Sequence, residues 1–227
     1  MSIAKVSKQF FVTATDTDAG KTYVSQLLVR AFVKQGLDTA VYKPISAGCE
    51  LISGNLVNED AQLLLNQSNC DQTIQQVNPI AFKEPIAPHI AALKTGQSIS
   101  IDDIEHGYKD VCKFNADITI TEGAGGWRLP LGGGLFLSDF IKRHPMKIIL
   151  VVNMKLGCLN HAVLTAESII EDGLECAGWI ANCPEEMLYL EHNIKELKSL
   201  LPMPCLGILP KQYIESAPDN LIDVSKL

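Results

Sequence analysis

The run KIILVVN at residues 147–153 constrains the fold more than any other part of the chain. Its five central residues are all apolar and most are β-branched. A strand that is apolar on both sides is typical of a parallel sheet covered by helices on both faces. The residues that follow, 160–171, change to helical spacing, with apolar side chains at Val163, Ala166, Ile169 and Ile170. The segment therefore predicts a buried strand followed by a helix.

The same alternation extends along most of the chain. Further strands are predicted at 9–14, 39–44, 117–126, 176–182 and 205–209. Helices are predicted from Lys21 to about Gly36, near 58–68, near 101–114, and at 185–200. Between 49 and 115 the pattern predicts only the two central helices. We expect residues 1–227 to form one α/β domain with three layers and a mostly parallel central sheet, in which ligands bind beyond the carboxyl ends of the strands.

Composition is consistent with a soluble globular domain. The 227 residues are 47% hydrophobic and 20% charged, which is enough for a core and argues against disorder. The longest apolar run, 148–152, is far shorter than the roughly 20 residues that span a bilayer. The N-terminus has no long apolar stretch and no evident cleavage site, so the sequence predicts a cytosolic protein without a membrane anchor.

Charge and cysteine usage exclude several other classes. The net charge is −7 and no basic cluster is present, which argues against nucleic-acid binding. The seven cysteines are scattered singly without a C-x-x-C pair, so they indicate reduced thiols and not a zinc or redox site.

The stretch TATDTDAGKT at 13–22 ends like a phosphate-binding loop. The common pattern G-x-x-x-x-G-K-[ST] requires glycine at position 15, where this chain has Thr15. The stretch nevertheless follows a predicted strand and precedes an amphipathic helix, which favours nucleotide binding over a simple helix start. Lys21 would then reach the β and γ phosphates, and the Thr22 hydroxyl would coordinate magnesium.

Two acidic residues are candidates for completing a magnesium site. Glu122 stands at the end of a predicted strand and is followed by GAGG, whose glycines allow close approach of a ligand. Mg²⁺ prefers oxygen ligands and keeps several waters, so one hydroxyl and one or two carboxylates suffice. Asp60 is the second candidate, although the letters NED at 58–60 fit an exposed helix cap equally well.

Several stretches together resemble one family, the dethiobiotin synthetases. The family loop G-T-D-T-x-x-G-K-T is one residue longer between its glycines than the common phosphate loop, and this chain reads ATDTDAGKT. The other similar stretches are YKPISAG (42–48), NPIAFKEPIAPHIAA (78–92), TEGAGGW (121–127), KLGCLNHAVLTA (155–166) and GWIAN (178–182). The resemblance spans most of the chain and implies a P-loop NTPase-like fold.

The resemblance also implies a reaction. In this family CO₂ adds to an amine of 7,8-diaminopelargonate to give a carbamate, which attacks the γ-phosphate of ATP. The neighbouring amine then captures the carbamic phosphoric anhydride, and dethiobiotin, ADP and phosphate are released. The enzymes require Mg²⁺ and work as homodimers with substrate at the interface, so we expect the same cofactor, substrates and assembly here.

Site residues follow from the family pattern position by position. The catalytic residues are expected to be Thr17, Lys21 and Lys43, and the metal ligands Thr22, Asp60 and Glu122. The expected ATP-binding residues are Asp18, Ala19, Gly20, Lys21, Thr22, Tyr23, Asp60, Glu122, Gly123, Ala124, Gly125, Asn182, Cys183, Pro210, Lys211 and Gln212. The expected substrate-binding residues are Thr17, Lys43, Ser46, Gly157, Cys158, Leu159 and Asn160.

Some of these roles have ordinary structural alternatives. Asn182 resembles the residue that recognises adenine through its amide, but it could also belong to a turn at a strand end. The residues at 157–160 are expected to bind the substrate carboxylate of the partner subunit through helix amides, whereas Asn160 alone could be an N-cap. Lys43 could be a surface charge.

Two positions depart from the family pattern. Ala14 replaces the first loop glycine, which requires a backbone that avoids positive φ. The serine of the family's KPxxSG motif falls at Ala47, with Ser46 beside it, and either Ser46 substitutes or that substrate contact is lost.

Other ATPase and GTPase classes fit less well. A partition-type regulatory ATPase usually has a second lysine early in the loop, and positions 14–19 contain none. VVNMKLG lacks the spacing and the aspartate of the guanine-binding N-K-x-D motif. A relative that makes amides from glutamine would need a glutaminase domain, for which the chain offers no obvious room.

Overall fold

A computed structural model describes residues 7–211, 214, 217, 218 and 220–227. In these residues the strands are β1 (Lys8–Ala14), β2 (Thr39–Tyr42), β3 (Ile45–Ser46), β4 (Glu50–Ile52), β5 (Asn55–Val57), β6 (Ile80–Ala81), β7 (Ile118–Glu122), β8 (Pro130–Gly132), β9 (Leu135–Phe136), β10 (Lys147–Asn153), β11 (Cys176–Cys183) and β12 (Cys205–Pro210). The helices are α1 (Lys21–Lys34), α2 (Glu59–Gln67), α3 (Ile74–Val77), α4 (Pro88–Lys94), α5 (Ile101–Cys112), α6 (Leu137–Arg143), α7 (Cys158–Glu171) and α8 (Leu190–Leu200), and a 3₁₀ turn covers Val224–Lys226.

A six-stranded parallel sheet forms the centre, in the order β12, β11, β10, β1, β7, β2. The register places Val12 of β1 opposite Glu122 of β7, and Ala14 opposite Val151 of β10. The residues from Ile148 to Val152 are completely buried. The predicted parallel sheet and its doubly covered strand are both confirmed, because β10 lies between two neighbours with apolar packing on each face.

Alternation of side chains along the strands divides the core into layers. Phe10 and Val12 of β1 pack with residues of α1 and α2 on one face of the sheet. Phe11 points to the opposite face, where it packs with α5 and α6, and Leu150 and Val152 of β10 pack there with α7 and α8. The predicted three-layer α/β class is therefore confirmed.

Local signals explain where the helices that flank the site begin and end. Helix α1 starts after Gly20, whose φ is +89°, and is followed by Gly36 with φ +79°, as the predicted stop requires. Helix α2 is capped by Asn58, whose side chain accepts a hydrogen bond of 3.2 Å from the Ala61 amide.

Several predicted boundaries were wrong. The helix predicted at 185–200 begins only at Leu190, because Tyr189 takes a left-handed conformation with φ +56°. Helix α7 starts at Cys158, two residues earlier than predicted, and its N-cap is Gly157 and not Asn160. The strands predicted to reach residues 44 and 126 end at Tyr42 and Glu122, since a proline and a glycine turn follow shortly after.

The section from 49 to 115 contains more structure than the two predicted helices. Both helices are present as α2 and α5, but β4 and β5 form an antiparallel hairpin and β3 pairs with β6. The short helices α3 and α4 complete this section. No helix in the described part of the chain combines the length and hydropathy that a membrane span would need.

Candidate active site

The phosphate loop and its neighbours lie at the carboxyl ends of three adjacent strands. Strand β1 leads into the loop at 15–20, β7 ends at Glu122, and β2 is followed directly by Lys43. Because these strands are parallel and adjacent in the sheet, their ends meet at one edge. The position of the predicted motifs at this edge is confirmed.

Two residues of the loop have a left-handed backbone conformation. Asp18 has φ +55° and Gly20 has φ +89°, whereas Ala14 stays extended in β1. The replacement of the family glycine by Ala14 is therefore compatible with this backbone path, which satisfies the condition set by the sequence. The Lys21 ammonium donates to the Asp16 carbonyl at 3.3 Å and folds back over the loop.

Asp16 connects the loop to the segment after β10. One carboxylate oxygen accepts from the Thr17 amide at 2.8 Å, and the other pairs with Lys155 at 2.9 Å. Hydrogen bonding to Lys155 holds the pKa of Asp16 below its ordinary value. Sequence reasoning assigned no role to either residue of this pair.

A buried charge cluster forms beside the loop, with Lys43 at its centre. Lys43 is 4% exposed and its ammonium binds the Glu122 carboxylate, which is completely buried. The same ammonium lies 3.1 Å from Asp60, and the Thr22 hydroxyl donates to Glu122 at 3.0 Å. The alternative that Lys43 is a simple surface charge is thus wrong. The letters NED do cap α2 through Asn58, and Asp60 in addition pairs with Lys43 through a carboxylate that is 44% exposed.

The pKa shifts in the cluster follow from burial and from these pairs. Burial opposes the charge of Lys43, but the carboxylates of Glu122 and Asp60 outweigh it and raise the pKa of Lys43. Burial would also raise the pKa of Asp60, yet the Lys43 ammonium lowers it below its ordinary value. Lys21 differs, because burial lowers its pKa more than Glu122 raises it, and the nearby Lys43 adds to the lowering. A bound polyphosphate would relieve this repulsion between the two lysines.

The donor set also fits a hard divalent cation. The second oxygen of Glu122, Oε2, is buried and has no hydrogen-bond partner, although a buried carboxylate oxygen normally has one. Thr22 and Asp60 contribute a hydroxyl and a partly exposed carboxylate within the same cluster. Oxygen ligands of this kind, completed by phosphate and water, are those that Mg²⁺ prefers. No group of three His, Cys, Asp or Glu side chains that could bind a metal alone occurs in the described ranges.

A cavity of about 890 Å³ opens over the cluster. Many predicted site residues line it together: Thr17, Asp18, Gly20, Lys21, Thr22, Lys43, Ser46, Asp60, Glu122, Gly123, Ala124 and Gly125. Its volume is in the range of cavities that bind small molecules. Two lysines, a hydroxyl and two carboxylates therefore face one space that is large enough for a polyphosphate and a second substrate.

A second set of predicted residues lies behind the loop and does not line this cavity. Asn182 is 6% exposed and donates from its amide to the Ala19 carbonyl at 2.9 Å. Cys183 pairs in register with Pro210, at the end of β12, where Lys211 follows. Tyr23 packs against the core from α1. Gln212 lies outside the described residues.

The expected carboxylate site at the start of α7 is also separate from the cavity of its own chain. None of Gly157, Cys158, Leu159 and Asn160 lines that cavity. The Cys158 amide already donates to the Lys155 carbonyl at 3.0 Å, so the amides of Leu159 and Asn160 are those in the first turn that donate to no backbone carbonyl. Leu156, immediately before this turn, is 96% exposed.

Several residues of the cavity wall were missed by sequence reasoning. Asn58, Leu129 and the segment Pro85, Ile86, Ala87 and Pro88 all line it. The segment 85–88 belongs to a stretch that resembles the family, but its apolar residues bear no chemical signal. Two prolines spaced three apart, the second of which begins α4, restrict the backbone here.

Comparison with known proteins identifies relatives over nearly the full chain. The family described as an AAA domain matches residues 8–218. The ATP-dependent dethiobiotin synthetase BioD of Alteromonas mediterranea is 48% identical, over 90% of this chain and 93% of the relative. The protein of the same name from Aeromonas salmonicida is 43% identical, over 97% of this chain and 99% of the relative.

Solved structures agree on the fold at lower similarity. The septum site-determining protein MinD of Pyrococcus horikoshii, solved with Mg-ADP, superposes with a TM-score of 0.60 at 15% identity, over 97% of this chain and 89% of that one. At this identity the likeness concerns the fold alone. The identities and coverage of the sequence relatives, in contrast, decide the family: this chain belongs to the ATP-dependent dethiobiotin synthetases.

Proposed function

We propose that this protein closes the ureido ring of dethiobiotin in biotin biosynthesis, from 7,8-diaminopelargonate, CO₂ and ATP, with release of ADP and phosphate. The observation on which the proposal rests is the joint position of Lys21, Thr22, Lys43 and Glu122 around one cavity. Family membership supports the reaction, and the positions of the side chains around the cavity support the role proposed for each.

The phosphate loop would bind the triphosphate. The loop amides and the start of α1 offer donors and the positive end of a helix dipole. Lys21 now donates to the Asp16 carbonyl and would exchange this neutral acceptor for phosphate oxygens. A bond between the ammonium and an anionic phosphate oxygen joins opposite charges and is stronger than the bond to a neutral carbonyl, so nucleotide binding would draw the ammonium toward the phosphates.

Thr22, Asp60 and Glu122 would hold Mg²⁺. The unpartnered Oε2 of Glu122 supports this role, because a cation would satisfy an oxygen that the protein leaves unpaired. When bound, the ion neutralises charge on the β and γ phosphates during transfer.

Lys43 and Lys21 would stabilise the transfer itself. One substrate amine attacks CO₂ to form the carbamate, whose oxygen attacks the γ phosphorus while ADP leaves. The second amine then attacks the carbamoyl carbon, and inorganic phosphate leaves with the former carbamate oxygen. The substrate provides every nucleophile, so the protein contributes position and positive charge where two anions approach. Thr17, on the exposed side of the loop, would donate to the substrate from the rim of the cavity.

The acid tail of the substrate would bind at the start of α7 of a partner subunit. Two observations support a homodimer: Gly157 to Asn160 do not line the cavity of their own chain, and the adjacent Leu156 is 96% exposed. Contact with a partner subunit would remove the apolar surface of this side chain from water. The cytosolic location and the single-domain organisation expected from the sequence remain predictions.

The decisive assay is incubation of purified protein with Mg-ATP, bicarbonate and diaminopelargonate, with detection of dethiobiotin by mass. Lys43→Ala should remove nearly all turnover, and omission of Mg²⁺ with added chelator should do the same. Lys147→Ala is the matched control, because Lys147 forms an exposed ion pair with Glu175 at the start of β10, and neither residue lines the cavity. Full turnover of Lys43→Ala would remove Lys43 from the mechanism, and ATP hydrolysis that ignores the diamine would instead favour a switch ATPase.

A further inference from the structure

Two buried amide side chains clamp β2 and the residue that follows it. Gln72 binds both backbone groups of Val41, accepting from its amide and donating to its carbonyl at 2.9 Å each. Two residues after Val41, the Lys43 carbonyl accepts a hydrogen bond of 2.7 Å from the Asn78 side chain. The two amides have similar burial, 7% exposed for Gln72 and 6% for Asn78. They differ in what they hold, since only Asn78 binds a residue of the active site.

The hydrogen bonds around Asn78 allow only one orientation of its side-chain amide. The Lys43 carbonyl can only accept, so the Asn78 amide nitrogen must face it. The Asn78 oxygen then accepts from the Ser46 hydroxyl at 2.6 Å, and the Cys49 thiol, 3.1 Å from Ser46, is left as a donor to that hydroxyl. The chain runs from Cys49 through Ser46 and Asn78 to Lys43, and all four residues are buried.

The other polar backbone group of Lys43, its amide, is also hydrogen-bonded. Its amide donates to the Val77 carbonyl at 2.8 Å, so residues 77 and 78 together hold both polar backbone groups of Lys43. The Lys43 side chain starts from this fixed point and reaches Glu122 and Asp60. A shift of the backbone here would move the ammonium relative to both carboxylates.

We infer that Asn78 is a positioning residue, which acts by fixing the Lys43 backbone so that the ammonium meets the reacting groups. The inference rests on the catalytic role proposed for Lys43. It also assigns the Ser46 hydroxyl to Asn78, which leaves that hydroxyl without a proton to donate to substrate. Ala47 supplies no hydroxyl in its place. Ser46 and Ala47 therefore offer the substrate no O–H donor, and Ser46 serves to orient Asn78 against Lys43.

The test compares Asn78→Ala with Gln72→Ala. Both variants remove a buried amide that bonds the backbone along β2, so both should lower the melting temperature. Only Asn78→Ala should lower kcat, by about tenfold or more, since small displacements of catalytic groups are costly. Its KM for ATP should stay within about twofold, because the phosphate loop is not attached to Asn78. Equal kcat losses in the two variants, or an unchanged kcat in Asn78→Ala, would overturn the inference.

A second variant covers the case in which Asn78→Ala does not fold. Ser46→Ala keeps the bond from Asn78 to Lys43 but removes the group that orients the amide, and a kcat loss of about two- to fivefold is expected with both KM values unchanged. A raised KM for the diamine at unchanged kcat would refute the inference, because Ser46 would then serve the substrate directly. If Lys43→Ala retains turnover, the proposed function of Lys43 fails as well. If Lys43→Ala is inactive while Asn78→Ala keeps its kcat, only the positioning role fails.

Discussion

Substitution of Gly20 by alanine tests how the phosphate loop is built. Gly20 has φ +89° and precedes the first residue of α1, and a Cβ there would lie 2.1 Å from the amide nitrogen of Asn182. No side chain can occupy that space, so the amide must move. Its movement breaks the hydrogen bond to the Ala19 carbonyl, which fixes the loop from behind.

The expected loss of stability has two components. A non-glycine residue in the left-handed region costs about 1 to 2 kcal/mol. Loss of the bond between Asn182 and Ala19 adds about 1 kcal/mol, and more if the buried carbonyl finds no new donor. We therefore expect Gly20→Ala to lower the free energy of unfolding by about 2 to 4 kcal/mol and to weaken ATP binding, because the loop amides shift.

Gly36→Ala is the control for strain alone. Gly36 has a similar φ of +79°, and a Cβ there would meet nothing within 4 Å. Its cost should be about 1 to 2 kcal/mol without any effect on ATP affinity. Urea unfolding gives the stabilities, and calorimetric titration with Mg-ATP gives the affinities.

The double variant Gly20→Ala with Asn182→Ala separates clash from strain. Removal of the amide should make the alanine at position 20 less costly than it is in the presence of Asn182, so the two effects should not add. Equal costs for Gly20→Ala and Gly36→Ala, or strict additivity in the double variant, would refute the argument that Asn182 packs directly against the loop.

Three further outcomes are expected. Asn182→Ala should reduce the preference for ATP over other nucleoside triphosphates in competition assays, whereas an unaltered preference would leave Asn182 with only its bond to Ala19. Leu156→Glu should convert a dimer to a monomer in sedimentation, since it places charge at a side chain that is 96% exposed; an unchanged mass would place any interface elsewhere. Asp172→Ala should lower the free energy of unfolding by about 1 to 3 kcal/mol, because it leaves the Trp127 indole N–H, now 2.8 Å from that carboxylate, without its partner. A urea midpoint equal to that of the unaltered protein would contradict this estimate.

The sequence best predicted the elements with a long hydrophobic pattern, either strands buried on both faces or helices buried on one face. Strand β10 was predicted with its observed bounds because a run of buried β-branched residues has few alternative structures. Helix α1 was predicted because its apolar period is bounded by two glycines of positive φ. In these elements local propensity and tertiary packing agree.

The elements that were missed are too short for a period to develop. Helices α3 and α4 have four and seven residues, and β3 and β6 have two each, so their existence depends on contacts between distant segments. Helix α8 was predicted to begin at residue 185, five residues before its observed start. The left-handed backbone of Tyr189 prevents that extension, and no sequence rule predicts such a conformation for tyrosine.

The residues of the candidate site likewise divide into those that a local motif predicts and those that depend on tertiary contacts. Lys21, Thr22 and Glu122 could be predicted because their chemistry is tied to a motif at a strand end. The letters NED indicated the cap that Asn58 forms. The cavity contact of Asn58 and the hydrogen bonds of Asn78 could not be predicted, because they depend on which segments meet in three dimensions. The burial of Lys43 between two carboxylates could not be predicted from the neighbouring residues in the sequence either.

The strand order has a consequence for how substitutions would act on this enzyme. Strands β7 and β2 lie on one side of β1 and bring the charged groups, whereas β10, β11 and β12 lie on the other side and bring Asn182 and Pro210. The phosphate loop stands at the boundary between the two halves. On the roles proposed above, a substitution at Asn182 would alter base selection and leave the charged groups beside β7 and β2 in place, because the two sets of residues are attached to different strands.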